Sequence, residues 1–121
     1  MKTKLILFIN KIDPYDGTFY VLSKSSDIFM PLECDLNTEK QPIDQVCNLF
    51  NKYISYDCNW AIISISSIYI EDDVLYITFS TLVPPSVEVK NGTKFFVISN
   101  NICENIKLRD AVLESIRKVN V

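Results

Sequence analysis

"FMPLECDLNTEKQPIDQVCNLFNKYIS", residues Phe29 to Ser55, passes from a strand-like end through a polar loop into an amphipathic helix. Ile43, Val46, Cys47, Phe50, Tyr53 and Ile54 recur at i, i+3, i+4, i+7, i+10 and i+11, the spacing of one apolar helical stripe. Thr38 or Gln41 can cap that helix, and Pro42 is tolerated only in its first turn. Its opposite face carries Asp44, Gln45, Asn48, Asn51 and Lys52. Upstream, Asp27–Leu32 reads as a short strand ended by Pro31, followed by the polar loop Glu33–Gln41.

Working outward, Lys4–Ile12 is a mostly apolar run with branched residues and reads as a central strand. Asp13–Gly17 is a turn, because proline presets φ and glycine supplies a positive one, and Thr18–Lys24 is the returning strand. Trp60–Ile70, an acidic turn at Glu71-Asp72-Asp73, and Val74–Val83 form an antiparallel hairpin. In its second arm Leu75, Ile77 and Phe79 share one face, and Tyr76, Thr78 and Ser80 the other. Pro84-Pro85 stops it, Asn91-Gly92 makes another turn, and Thr93–Ser99 is one more strand. A final helix over Glu104–Val119 buries Leu108, Val112, Leu113, Ile116 and Val119. The order β-β-β-α-β-β-β-α, with one apolar stripe per helix, predicts an α+β fold of α/β/α sandwich type. A mixed sheet carries one helix on each face, with Phe50 and Leu113 as anchors.

At 121 residues the chain suits one compact domain, residues 1–121. A net charge of −3, with no basic stripe, argues against nucleic acid as the main partner. Cys34, Cys47, Cys58 and Cys103 form no CxxC pair, and histidine is absent, so the thiols are expected reduced and no zinc site forms. Without histidine, Ser-His-Asp and Cys-His mechanisms cannot be built, and the isolated glycines make no phosphate loop. The apolar run after Lys4 is too short for a signal peptide or a membrane span, so no membrane contact and a cytoplasmic location are expected. Asn91-Gly92-Thr93 then serves as a turn rather than a glycosylation site. Ile, Asn, Lys and Tyr make 42 of the 121 residues. Their AT-rich codons suggest an AT-rich genome such as a bacteriophage's, placing the protein in host cytoplasm or virion.

In element order and apolar spacing the chain resembles the Nudix hydrolases over nearly its whole length. The N-terminal hairpin, a strand ending like Leu-Pro-Gly-Gly at Phe29–Leu32, the loop and helix, the second hairpin, the Phe95–Ser99 strand and the last helix all match in order. The family signature GX5EX7REUXEEXGU places carboxylates on one helix face to hold magnesium or manganese against a pyrophosphate. The resemblance puts Pro31 at the family's proline, Leu32 and Glu33 at its two glycines, and Glu39 at the first loop glutamate. One register lays Asn48 and Leu49 over the Arg-Glu pair, and Lys52 and Tyr53 over the Glu-Glu pair. A shift by one gives Cys47 and Asn48, then Asn51 and Lys52, with Ser55 or Ile54 for the glycine. Neither register recovers a helical carboxylate.

Three functions stay open. The first is a non-catalytic Nudix-like domain, a protein-interaction or structural accessory module whose partner is another protein. It would use the apolar residues around Val83-Pro84-Pro85 and Val87. The second is a divergent metal-dependent hydrolase of nucleoside diphosphate derivatives, drawing on the loop acids Glu33, Asp35 and Glu39. The third is a binder of nucleotides or other small ligands without hydrolysis. Candidate binding residues are Glu33, Asp35, Glu39, Asp44, Asn48 and Lys52, with no catalytic residue, metal ligand or cofactor assigned.

Overall fold

Strand β1 (Lys2–Ile12) runs through the middle of the molecule, and its Leu5–Ile9 stretch is fully buried. A run apolar on both faces can only sit between two layers. In the computed structural model, which describes residues 1–90 and 92–119, both layers are present. Leu5, Leu7 and Ile9 point into a core with Val46, Leu49 and Phe50 of α1 (Pro42–Tyr53). Ile6 and Phe8 point the other way, against Ala111 and Val112 of α2 (Ile106–Val119). The helices therefore cover opposite faces of a mixed six-stranded sheet, as the element order predicts.

The sheet forks at β1. On one side β5 (Val74–Leu82) runs parallel to β1 from Lys2 to Asn10, with β4 (Ser64–Glu71) antiparallel outside it. On the other, β3 (Leu32–Asp35) pairs with Lys4–Leu7 while β2 (Phe19–Ser23) pairs with Asn10–Ile12, both antiparallel. β6 (Lys94–Val97) extends the sheet beyond β2. The two hairpin turns form as expected: Gly17 has φ of 72°, and Asp72 and Asp73 have φ of 49° and 61°. Asn91 of the expected Asn-Gly turn lies outside the described residues. Among the described residues no helix is long and apolar enough to cross a membrane.

Several details differ from the sequence reading. The strand near Pro31 follows the proline instead of preceding it. The buried Ser23 hydroxyl accepts from the Ser25 and Met30 amides and shares its single O–H between the Ser25 and Ile28 carbonyls, holding the segment before β3 as a compact loop. Trp60 belongs to a short 3-10 turn, Cys58–Trp60, and β4 begins only at Ser64. On α1 the buried stripe is Val46, Leu49, Phe50 and Tyr53, with Ile43 exposed. On α2 the sheet contact is made by Leu108, Ala111, Val112 and Ser115, and Leu113 is only half-buried, so Leu113 is not the anchor. Small residues let this helix sit close to a polar strip of the sheet, where the Asn10 amide donates to Ser115 Oγ at 3.4 Å. Val83 is buried and Val87 half-buried in the α1-side core, leaving Pro84 and Pro85 as the exposed part of that segment.

Candidate functional site

The loop from β3 into α1 is shaped by Gln45. Gln41 occupies the N-cap with extended backbone but makes no side-chain cap, and Pro42 opens the helix, as its missing N–H permits. The burial of Gln45, only 7% exposed, compensates. Its Oε1 accepts the Asn37 amide at 2.8 Å, and its Nε2 donates to the carbonyls of Asn37 at 2.9 Å and Lys40 at 3.3 Å. Asn37 Oδ1 in turn accepts the Glu39 amide at 3.0 Å. The loop's polar backbone is satisfied by one side chain that the helical pattern assigns to the solvent face. No signal in the sequence distinguishes Gln45 from its exposed polar neighbours.

Against this loop lies a shallow hollow of about 240 Å³ lined by Cys34, Asp35, Asn37, Lys40, Gln45, Asn48, Leu49 and Lys52. Three of the six predicted residues meet there: Asp35, Asn48 and Lys52. The others do not join them. Asp44 sits exposed in the first turn of α1 and Glu39 is exposed in the loop. Glu33 and Asp35 are strand residues of β3 rather than loop acids, so alternation governs them. Leu32 and Cys34 face the α1 core, which turns Glu33 and Asp35 toward the opposite face. There the carboxylates pair with β1: Glu33 with Lys4 at 3.5 Å, and Asp35 with Lys2 at 3.3 Å. Asp35 thus reaches only the rim of the hollow, with its charge already countered.

The remaining groups do not suit water activation. Lys40 and Lys52 bring two cations into the hollow, and its only carboxylate belongs to Asp35. Among the described residues no three Cys, Asp or Glu side chains come together as a metal site. The Cys34 and Cys47 thiols are held protonated at neutral pH. Burial, then the Cys58 thiol and the charge of Asp44, pushes Cys47 up to about 11, and burial with Asp35 and Glu33 raises Cys34. Hydrogen bonding to a polar or anionic group is what this surface can offer. A larger hollow, about 840 Å³, lies away from it on the α2 side, between Ile28-Phe29 and the Asn100–Arg109 segment. A third, of about 460 Å³, closes the far end of β1, where the Lys11 ammonium lies 4.2 Å from the Phe95 ring centre and 5.4 Å from that of Tyr20.

No protein-family model matches the sequence, and no curated protein matches it either. Solved structures do match in three dimensions. A mutT/nudix family protein from Listeria innocua superposes with a TM-score of 0.72 at 7% identity, covering 97% of this chain and 94% of that one. An Ap4A hydrolase from C. elegans gives 0.65 at 10% identity, covering 94% of this chain and 95% of the other. The C-terminal domain of mouse MUTYH, solved in complex with human PCNA, gives 0.68 at 10% identity over 98% and 91% of the two chains. At such identities the likeness is one of backbone, and it spans almost the full described chain. The six-stranded sheet forked at β1, with a helix on each face, is a Nudix-like fold.

Proposed function

We propose that this chain is a non-catalytic Nudix-like domain that works by binding another protein, as an interaction or accessory module. One observation carries the reading. The exposed face of α1, where the Nudix signature needs several carboxylates, presents Asp44, Asn48, Asn51 and Lys52. A hard divalent cation needs several anionic oxygens, and Lys52 adds positive charge where metal charge would sit. Glu33 and Asp35 do not compensate, being turned to the other face and paired with lysines. The MUTYH domain supports the protein-binding part, as a similar fold solved with a protein partner.

The hydrolase reading draws on the C. elegans Ap4A hydrolase and on Asp35 at the rim of the hollow. It requires Asp35 to leave Lys2 and act with Asp44 and Glu39. A metal-dependent hydrolysis assay over nucleoside diphosphate derivatives separates the two. The proposal expects no turnover above background with magnesium or manganese. Turnover lost in Asp35→Asn or Asp44→Asn would replace it with the hydrolase reading.

A further inference from the structure

β4, the outermost strand on its side of the sheet, carries an apolar face that the fold does not use. α2 covers β4 and β5 on one face, while on the other α1 packs over β1 and β3, so the β4 end is left bare. Register puts Ile65, Ile68 and Ile70 on that bare face, opposite Phe79, Ile77 and Leu75 of β5. They are 53%, 60% and 48% exposed, and Trp60, at the start of the same edge, is 75% exposed. Together these four side chains show roughly 500 Å² of apolar surface, about the apolar share of an interface burying about 800 Å² per partner. The sequence of β4, SISSIYIE, has none of the Lys, Arg or Pro residues that commonly guard a sheet edge.

Charge along the edge is polarised. At one end stands the acidic turn Glu71-Asp72-Asp73, and α2 begins there, with Asn105 donating to Glu71 at 2.6 Å and Lys107 to the Ile70 carbonyl. α2 runs antiparallel to β4, so its basic end arrives at the other: Lys118 lines a hollow with Trp60, Ile62 and Ser64. With Lys107 committed to the Ile70 carbonyl, Glu71, Asp72 and Asp73 keep one end net acidic and Lys118 makes the other basic, an arrangement complementary to itself when turned through a two-fold axis. We infer that two copies of this chain associate about such an axis, setting β4 antiparallel to its counterpart. Asp72 and Asp73 of each copy then lie beside Lys118 of the other. The bulge between Ile65 and Ser67, and the Lys107 cap on Ile70, interrupt any main-chain ladder, so side chains carry the contact. This association is independent of whether the α1 face is catalytic.

Sedimentation velocity and light scattering on the full chain, over a concentration series into the high-micromolar range, test the inference. A dimer is expected, with Ile68→Lys raising its dissociation constant by about tenfold or more. Far-UV circular dichroism should be unchanged, as should the melting temperature at dilutions where both proteins are monomeric, because Ile68 is mostly solvent-exposed in the single chain. Lys118→Glu should weaken the dimer, and Asp72→Lys with Asp73→Lys in the same chain as Lys118→Glu should restore it, since each copy then supplies both swapped charges. A monomer throughout the series overturns the inference, as does a dimer indifferent to Ile68→Lys or a swapped variant no tighter than Lys118→Glu alone.

Discussion

Truncating Phe50 tests which side of α1 faces the sheet. Its ring is fully buried, packed among Leu5, Leu7, Val46 and Leu49, with its centre 6.4 Å from that of Tyr56. Phe50→Ala loses the transfer energy of that ring and leaves a cavity a rigid sheet cannot close, a cost of about 3–5 kcal/mol. Against a total stability of about 5–15 kcal/mol for a domain this size, that is a large fraction. At about 3–6 °C per kcal/mol it lowers the melting temperature by roughly 10 °C or more. Val112→Ala, fully buried under α2, should cost about 2 kcal/mol. Leu113→Ala, at a half-buried position, should cost about 1 kcal/mol or less. Urea unfolding followed by circular dichroism gives the three midpoints, compared at constant slope. A Phe50→Ala cost under about 1 kcal/mol, or a Leu113→Ala cost above that of Val112→Ala, would refute the assignment of the buried faces.

Gln45→Ala should cost about 1–3 kcal/mol by stripping partners from the 37–40 loop, and amide exchange at Asn37 should speed up. If exchange there is unchanged, the loop is held by something else. Asp73→Gly should stabilise by about 0.5–1 kcal/mol, since Asp73 sits at φ of 61° in a two-residue hairpin turn that favours glycine. A loss in the same unfolding assay would contradict this. The Cys47 thiol, pushed up to about 11, should react with iodoacetamide at pH 8 more slowly than a free cysteine and accelerate only as pH climbs toward 11. Because its folded value is raised above the ordinary 9.0, its contribution to stability is complete below about pH 9 and falls away between there and about 11. Labelling at the free-thiol rate at pH 8 would contradict the half-buried placement beside Cys58 and Asp44.

Element order was readable because each element carries its own periodicity. The run at Leu5–Ile9, the alternation of Val74–Leu82 and the two helical stripes each point to one partner layer, and together they force helices onto opposite faces. What was not readable depends on side chains that pattern alone cannot place. Gln45 looks like its neighbours Asp44 and Asn48 yet is buried, because the loop before it needs a hydrogen-bonding hub. Ser115 and Ala111 carry little hydrophobicity, so a search for large apolar residues picks Leu113, while close approach to the sheet rewards the small ones. The shift of β3 past Pro31 matters most for the candidate site. It converts Glu33 and Asp35 from loop residues, free to converge, into strand residues whose direction is set by Leu32 and Cys34. Of the site, Asp35 and the cationic and amide character of the Asn48–Lys52 face were visible beforehand.

If the proposed non-catalytic reading holds, the α1 face of this Nudix-like fold carries too little negative charge to hold a catalytic metal. Calorimetric titration of the full chain with magnesium and with manganese, alone and with a non-hydrolysable nucleoside diphosphate derivative, tests it directly. No saturable heat is predicted beyond that of the same titration without protein, which for the two nucleotide mixtures includes the metal–nucleotide chelation itself, because Asp44 is the only carboxylate on that face. Saturable binding that disappears in Asp44→Ala and survives changes at Glu33, Asp35 and Glu39 would contradict it.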